Sequence, residues 1–258
     1  MTALLELKSV TMSFGGVTAL RGVDLAVDEG AIFALIGPNG AGKTTVFNLI
    51  TGVYRPTSGE LLFKGRRISR RSRPHQVTKL GIARTFQNIR LFENMSALEN
   101  VMVGADAQHR TGIFSAVFGT ARHRREERQG RERGLELLDF VGIGAVAEET
   151  AKNLSYGDQR RLEIARALAT EPALLLLDEP AAGMNPSEKV GLQRLIRKIR
   201  DDGRTVFLIE HDMGMVMQMS DRIAVLDFGE KIADGTPGQV QQDKAVIAAY
   251  LGEPADAS

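Results

Sequence analysis

The chain has 258 residues, 43% hydrophobic and 25% charged, which excludes a disordered tail or a mini-protein and suits a sizeable core. Lys and Arg number 33 against 32 Asp and Glu, so a net charge of +1 gives no global pull toward nucleic acid. Cysteine is absent, which excludes disulfides, thiolate metal sites and a cysteine nucleophile and fits a reducing compartment.

Alternating apolar residues predict strands between Leu4 and Val27, with Leu5, Leu7, Val10, Val23, Leu25 and Val27 as their apolar positions. Glu29-Gly30 is a turn. Ala31–Ile36 is an unbroken apolar run of strand length, the mark of a strand buried on both faces. A glycine-rich loop follows, then a helix over Lys43–Ile50 with Val46, Leu49 and Ile50 on one face. Pro56–Gly59 is a turn and Glu60–Phe63 another strand. Lys64, Arg66, Arg67, Arg70, Arg71 and Arg73 crowd one stretch; a solvated loop and helix start is favoured over a site for an anionic partner.

From Ser96 to about Gly144 the pattern is helical and polar. Thr111–Phe118 is mostly apolar and uncharged, either a surface element that docks on something greasy or a helix packed inward. Arg122–Arg133 reads as an exposed helix in which Glu126, Glu127 and Glu132 pair with arginines at i±4. A helix is expected over Asp158–Thr170, stopped by Pro172. Leu174–Leu177, Thr205–Ile209 and Arg222–Leu226 read as buried strands, and Ser187–Arg200 as an amphipathic helix with Val190, Leu192, Leu195, Ile196 and Ile199 apolar. Buried strands alternating with helices predict a largely parallel α/β sheet in one domain, with a helical insertion near the middle. No stretch reaches the roughly 18–20 apolar residues of a spanning helix. Met1–Lys8 carries Glu6 and lacks a signal-peptide layout, so the chain is expected in the cytoplasm.

Gly37-Pro38-Asn39-Gly40-Ala41-Gly42-Lys43-Thr44 satisfies G-x-x-x-x-G-K-[ST] between a buried strand and a helix, the context a P-loop needs. Its glycines let backbone N–H groups curl around a polyphosphate at a helix N-terminus. Lys43 is positioned for the β- and γ-phosphates and the Thr44 hydroxyl for Mg²⁺. Asp178 and Glu179 end the Leu174–Leu177 strand, where α/β sheets bind ligands. There Asp178 can hold Mg²⁺ and Glu179 can polarise a water for attack on the γ-phosphate. Ser155 is a natural helix N-cap, and with Gly157 it could also clamp a phosphate. Gln87 and His211 draw their meaning from order: P-loop, Gln, Ser-x-Gly, Asp-Glu, His.

In that order and spacing these elements resemble the ATP-binding-cassette (ABC) ATPases, over essentially the whole chain. The branched-chain amino-acid importer subgroup is the nearer resemblance. It rests on Arg84–Phe92, the Thr111–Ser115 insertion, the signature Leu154–Ala165 with Tyr156 and Asp158, Glu179–Gly183, and Tyr250–Glu253. The resemblance implies the P-loop NTPase fold of that family: a mostly parallel core sheet, an N-terminal antiparallel β subdomain and an inserted helical subdomain over about 88–165. It also implies a C-terminal helix over about 243–251. It implies that Phe14 stacks on adenine and that the loop through Thr45 binds ATP. By the same resemblance Gln87 touches Mg²⁺ or water, Ser155 and Gly157 act on a nucleotide held by a second subunit, Glu179 is the general base, and His211 contacts the γ-phosphate. The implied partners are a second ATPase subunit, self or paralogue, arranged head to tail, two membrane permease subunits and, indirectly, a periplasmic solute-binding protein. No nucleic-acid partner is expected, and the implied location is the cytoplasmic face of the inner membrane. Two departures stand out: Tyr156 replaces a glycine of the broader family, and Asn185 stands where an aspartate is usual. The alternative functions are a urea or amide importer ATPase and a lipopolysaccharide-export ATPase.

Overall fold

Residues 3–106 and 121–251 are described in the computed structural model of the protein, the side chains of 106, 121–127 and 251 excepted. The apolar stretch Thr111–Phe118, the Glu126 and Glu127 pairings and Gly252-Glu253 therefore lie outside the described residues. The chain divides into two compact units, Met1–Arg84 with Ala173–Ser258, and Thr85–Pro172.

The first is an α/β unit with two sheets. Strands β1 (Ala3–Phe14), β2 (Val17–Asp28), β4 (Ser58–Phe63) and β5 (Arg66–Arg67) form an antiparallel sheet in the order β2-β1-β4-β5. The second sheet has six strands: β3 (Ile32–Ile36), β6 (Ile82–Arg84), β7 (Leu174–Asp178), β8 (Thr205–Ile209), β9 (Arg222–Asp227) and β10 (Glu230–Gly235). Its order is β10-β9-β3-β8-β7-β6, parallel except where β10 runs against β9. Every residue of β3, β7 and β8 is buried, as their continuous apolar runs require. Helix α1 (Lys43–Ile50) packs onto the core through Phe47, whose ring meets Phe207 edge to face at 5.0 Å; Phe207 in turn meets Phe33 at 5.1 Å.

Three elements of this unit had no clear signature in the pattern. Strand β6 has three residues, too short to show a period. Strand β10 is a half-exposed edge, polar on both faces. Helix α2 (Pro74–Leu80) buries only Val77. Helix α6 (Pro186–Asp201) is amphipathic, but Val190 is exposed. Its buried stripe is Leu192, Leu195, Ile196 and Ile199, spaced i, i+3, i+4, i+7, and Val190 falls on the opposite side of that phase.

The second unit is helical: α3 (Ala97–Asp106), α4 (Ala121–Val141) and α5 (Tyr156–Leu168), with single 3₁₀ turns at Gly144–Val146 and Ala151–Asn153. The polar α4 buries Leu137, Leu138 and Val141 near its C-terminus, while Arg131 and Arg133 reach Glu148 and Glu136 in solvent. Helices α3 and α5 approach so closely that a Cβ on Gly104 would collide with the Arg166 carbonyl. In the α/β unit, α7 (Met213–Met219), α8 (Pro237–Gln242) and α9 (Lys244–Leu251) complete the chain.

Candidate functional site

The P-loop leaves β3 at Ile36 and enters α1 at Lys43. Gly37, Gly40 and Gly42 have φ of 146°, 83° and 101°, a region that L side chains rarely adopt. Two of them are also walled in by backbone. A Cβ on Gly37 would collide with the Leu226 carbonyl, and one on Gly42 would stand 2.7 Å from the Ala19 carbonyl; Gly40 has nothing within 4 Å. Gly229 N–H donates to the Ala41 carbonyl at 3.1 Å and ties the loop down from its far side. Helix α1 has no side-chain cap and no acid in its first turn, so its N-terminal N–H groups and positive dipole end face the loop. Lys43 is 6% exposed and donates to the carbonyls of Gly37 and Pro38 at 2.6 and 2.9 Å. Burial lowers its pKa, while Glu179 and Asp178 pull it back up. Asn39 and Thr44 are exposed and Thr45 half-buried.

Parallel pairing brings the ends of β7 and β8 together, Asp178 opposite Ile209. Asp178 is 5% exposed, and its Oδ2 accepts from Arg84 Nη2 at 2.7 Å. Arg84 Nη1 also donates to Asn48 Oδ1 at 2.7 Å, and its guanidinium lies 5.4 Å from the Phe47 ring centroid, so one arginine links the acid at the end of β7 to α1. Glu179 has φ 46°, a left-handed backbone that costs a non-glycine residue energy. Its N–H donates to the Ile209 carbonyl at 2.9 Å, and its Oε1 is 2.6 Å from His211 Nε2. The next acid along, Glu210, is 3% exposed; its oxygens accept from Ala181 N–H at 2.7 Å and His211 N–H at 3.1 Å. Burial raises the pKa of Glu210 and these N–H bonds lower it. Asp212 caps α7 by accepting from Met215 N–H at 3.0 Å and pairs with Lys189 at 2.7 Å.

The α/β unit thus gathers the P-loop, Asp178, Glu179 and His211. Phe14 is 41% exposed, its ring edge-to-face with Tyr54 at 5.0 Å. Asn185 serves the fold, forming a reciprocal capping box with Glu188 at the start of α6.

Gln87, Ser155 and Gly157 belong to the helical unit. Ser155 caps α5, accepting from Asp158 N–H at 3.2 Å and donating its hydroxyl to Asp158 Oδ2 at 2.8 Å. The Tyr156 hydroxyl accepts from Arg160 Nη2 at 3.3 Å, which gives the bulky signature residue a partner. Arg160 is fully buried. It donates to the carbonyls of Phe86 and Gln87 at 2.7 and 2.8 Å and to Glu163 Oε2 at 2.9 Å. Glu163 Oε1 accepts from the N–H groups of Phe86 and Arg90, and Arg166 donates to the Arg90 carbonyl. Helix α5 therefore grips the Gln87 loop by its backbone and leaves the Gln87 side chain exposed. Beside it lies a groove of about 200 Å³ lined by Ile89, Leu91, Glu93, Ala151, Lys152 and Gln159. The Phe92 ring is taken up under the Arg166 guanidinium, 5.6 Å away.

Sequence reasoning missed Glu210, Asp212 and the Arg160–Glu163 pair, and it read Arg84 only as part of a motif. Each is an ordinary charged residue until topology supplies its partner, so no local signal could have singled it out.

Residues 20–182 match the ABC transporter family, and residues 230–256 match a family described as branched-chain amino acid ATP-binding cassette transporter. The chain is 48% identical to the high-affinity branched-chain amino acid transport ATP-binding protein BraF of Pseudomonas aeruginosa, over 97% of this chain and 98% of that one. Its structure matches a nucleotide-free ATP-binding cassette from an ABC transporter with a TM-score of 0.85 at 30% identity, covering 98% and 100% of the two chains. The ATP-binding cassette MJ0796, solved as a dimer in a post-hydrolysis state bound to ADP and Pi, gives 0.75 at 28% identity over 90% and 98%.

Proposed function

The chain belongs to the ABC transporter family, and from that premise we propose that it powers uptake of branched-chain amino acids through a pair of membrane permeases. It is an ATP-hydrolysing transporter subunit, and among its described residues no helix is long and apolar enough to cross a membrane. The solute assignment is supported by the BraF likeness and the match at 230–256, which favour it over urea, amide or lipopolysaccharide.

The observation that carries the reaction is the 2.6 Å Glu179–His211 contact at the end of β7, in the unit that holds the P-loop. In this reading ATP lies along the loop from Gly37 to Thr45, its phosphates cradled by backbone N–H groups of the loop and of the uncapped N-terminus of α1 and held by Lys43, its adenine against Phe14. Glu179 accepts a proton from the attacking water, and His211 orients that carboxylate and faces the γ-phosphate. Thr44 and Asp178 would hold Mg²⁺. The donor set suits that ion: few side chains, one carboxylate already steadied by Arg84, the remaining positions left for phosphate and water. Bound there, Mg²⁺ neutralises charge on the phosphate oxygens.

Ser155 and Gly157 complete the site of a second cassette, arranged head to tail, either a copy or a paralogue. The groove at Ile89 and Leu91 receives an apolar segment of the permease, with Glu93 and Lys152 at its rim. The cassette so docked lies on the cytoplasmic face of the membrane, opposite a solute-binding protein.

Two measurements test this. Glu179→Gln should keep ATP affinity and lower turnover by about 10²–10⁴-fold; a fall of less than about tenfold removes Glu179 from the role. Deletion of the gene should abolish high-affinity uptake of labelled leucine and spare urea; the reverse pattern would overturn the solute.

A further inference from the structure

We propose that Glu210 is a positioning residue for hydrolysis, a strap that ties the turn bearing Glu179 to the turn bearing His211. The proposal rests on the reading of Glu179 as base and His211 as its partner.

Strands β7 and β8 run parallel and in register to their last residues, Asp178 and Ile209. Beyond that point the ladder ends and the two turns are free to diverge, yet the Glu179 and His211 side chains must meet at 2.6 Å. One backbone bond, Glu179 N–H to the Ile209 carbonyl, still joins the turns. The next residue, Pro180, has no N–H to offer. The first donor past it is Ala181 N–H, and it goes to Glu210 Oε1 at 2.7 Å. On the other side Glu210 Oε2 accepts from His211 N–H at 3.1 Å, and the carboxylate also takes the Asp212 N–H. One side chain thus holds backbone donors of both turns, on either side of the reacting pair.

Two further features suit Glu210 to this role. It is 3% exposed, so water does not compete for its bonds. Glu179 sits in a left-handed conformation (φ 46°), which persists only when the surroundings fix it. The strap must also be a carboxylate. Both of its oxygens face N–H donors, and an amide would turn an NH₂ group toward one of them.

The test compares wild type, Glu179→Gln, Glu210→Gln and Glu210→Asp as full-length protein, by ATP turnover, thermal midpoint and the ¹⁵N signal of the His211 ring. Glu210→Gln keeps the volume and breaks one side of the strap; Glu210→Asp keeps the charge and shortens the reach. Misplacing the pair should lower kcat by roughly ten- to a hundredfold. KM for ATP should stay within about twofold, because ground-state binding is untouched. The His211 signal should shift as it does in Glu179→Gln. Unchanged kcat and His211 signal in folded Glu210→Gln would overturn the strap while leaving the reading of Glu179 intact. Loss of kcat together with a raised KM, or failure of both Glu210 variants to fold, would make Glu210 a structural residue only. If Glu179→Gln turns over like wild type, the parent reading fails instead.

Discussion

In the α/β unit the buried carboxylate of Glu210 is answered by backbone N–H groups; in the helical unit the buried carboxylate of Glu163 is answered by an arginine as well. Both hold a loop in shape. Their electrostatics differ. Arg160 and Glu163 are 0% and 2% exposed in their side chains, a full ion pair withdrawn from water. Such a pair is costly to unmake, because removing one member strands the other. A charge held by backbone dipoles leaves only neutral groups behind when it is removed. Around Glu210 a charge can therefore be altered without stranding a partner, whereas Arg160 and Glu163, like the buried Arg84–Asp178 pair of the α/β unit, are each committed to the other.

The sharpest way to break this comparison is Arg160→Met. It leaves Glu163 buried without its arginine and should cost about 3–5 kcal/mol. At roughly 2–4 °C per kcal/mol for a chain of this size, the thermal midpoint should drop by about 6–20 °C. The double variant Arg160→Met, Glu163→Leu should recover most of the loss, since an apolar replacement of a buried pair is often neutral. The single variant also has a pH signature. Burial already raises the pKa of Glu163 above 4.5, with Arg160 the main opposing influence. Without Arg160 it rises further, so the folded variant holds a proton that the unfolded chain releases. Its stability should then fall as pH climbs from 4.5 through the folded pKa, and the deficit against wild type should be larger at pH 8 than at pH 5. A pH-independent deficit would mean that the pair is not what holds α5 to the loop.

Lys43 probes the other kind of charge, one that leans on backbone carbonyls. Lys43→Ala should weaken ATP binding by about 1.5–3 kcal/mol, roughly ten- to more than a hundredfold in Kd by calorimetry. Its thermal midpoint should move far less than that of Arg160→Met. Wild-type ATP affinity, or a midpoint loss as large as that of Arg160→Met, would erase the distinction between the two kinds of charge.

The smallest effect belongs to a half-buried pair at the surface, Lys189 and Asp212. The Lys189 hydrogen bond, then the Met215 N–H, holds Asp212 below its usual 3.8. A depressed carboxylate pKa contributes stability above the unfolded value and loses it as pH falls through the folded one. Lys189→Met should therefore move the Asp212 titration, followed by carboxyl ¹³C NMR, up toward 3.8, with the α7 cap kept by Met215 N–H. Both groups are in reach of water, so the midpoint at neutral pH should hardly change. An unmoved titration would assign the depression to the helix cap.

What could be read from the residues was what is local. Ala31–Ile36 and Leu174–Leu177 are apolar without interruption, and the buried strands β3 and β7 run almost residue for residue where expected. The P-loop motif carries its own geometry, because its glycines and its lysine lie within eight residues. Tyr156 could be seen to be bulky, but its role could not, since the partner Arg160 is set by the turn of α5. Arg84 and Asp178 are brought together by the pairing of β6 with β7, across most of a domain inserted between them in sequence. Val190 is apolar like its neighbours in the amphipathic helix, but its phase sets it opposite the buried stripe of Leu192, Leu195, Ile196 and Ile199.

The three glycines of the P-loop answer to different constraints, and this bears on how such chains drift. Gly37 and Gly42 are fixed by the Leu226 and Ala19 carbonyls behind them, a demand of the scaffold that holds whether or not any nucleotide is bound. Gly40 alone has open space around its Cα, so the scaffold asks of it only a backbone angle, which asparagine can also adopt. A descendant that had abandoned catalysis would keep Gly37 and Gly42 for the sake of folding and be free to lose Gly40 and Lys43. In such a lineage an intact first and last glycine testifies to a surviving fold, and only the residues between and after them testify to a surviving enzyme.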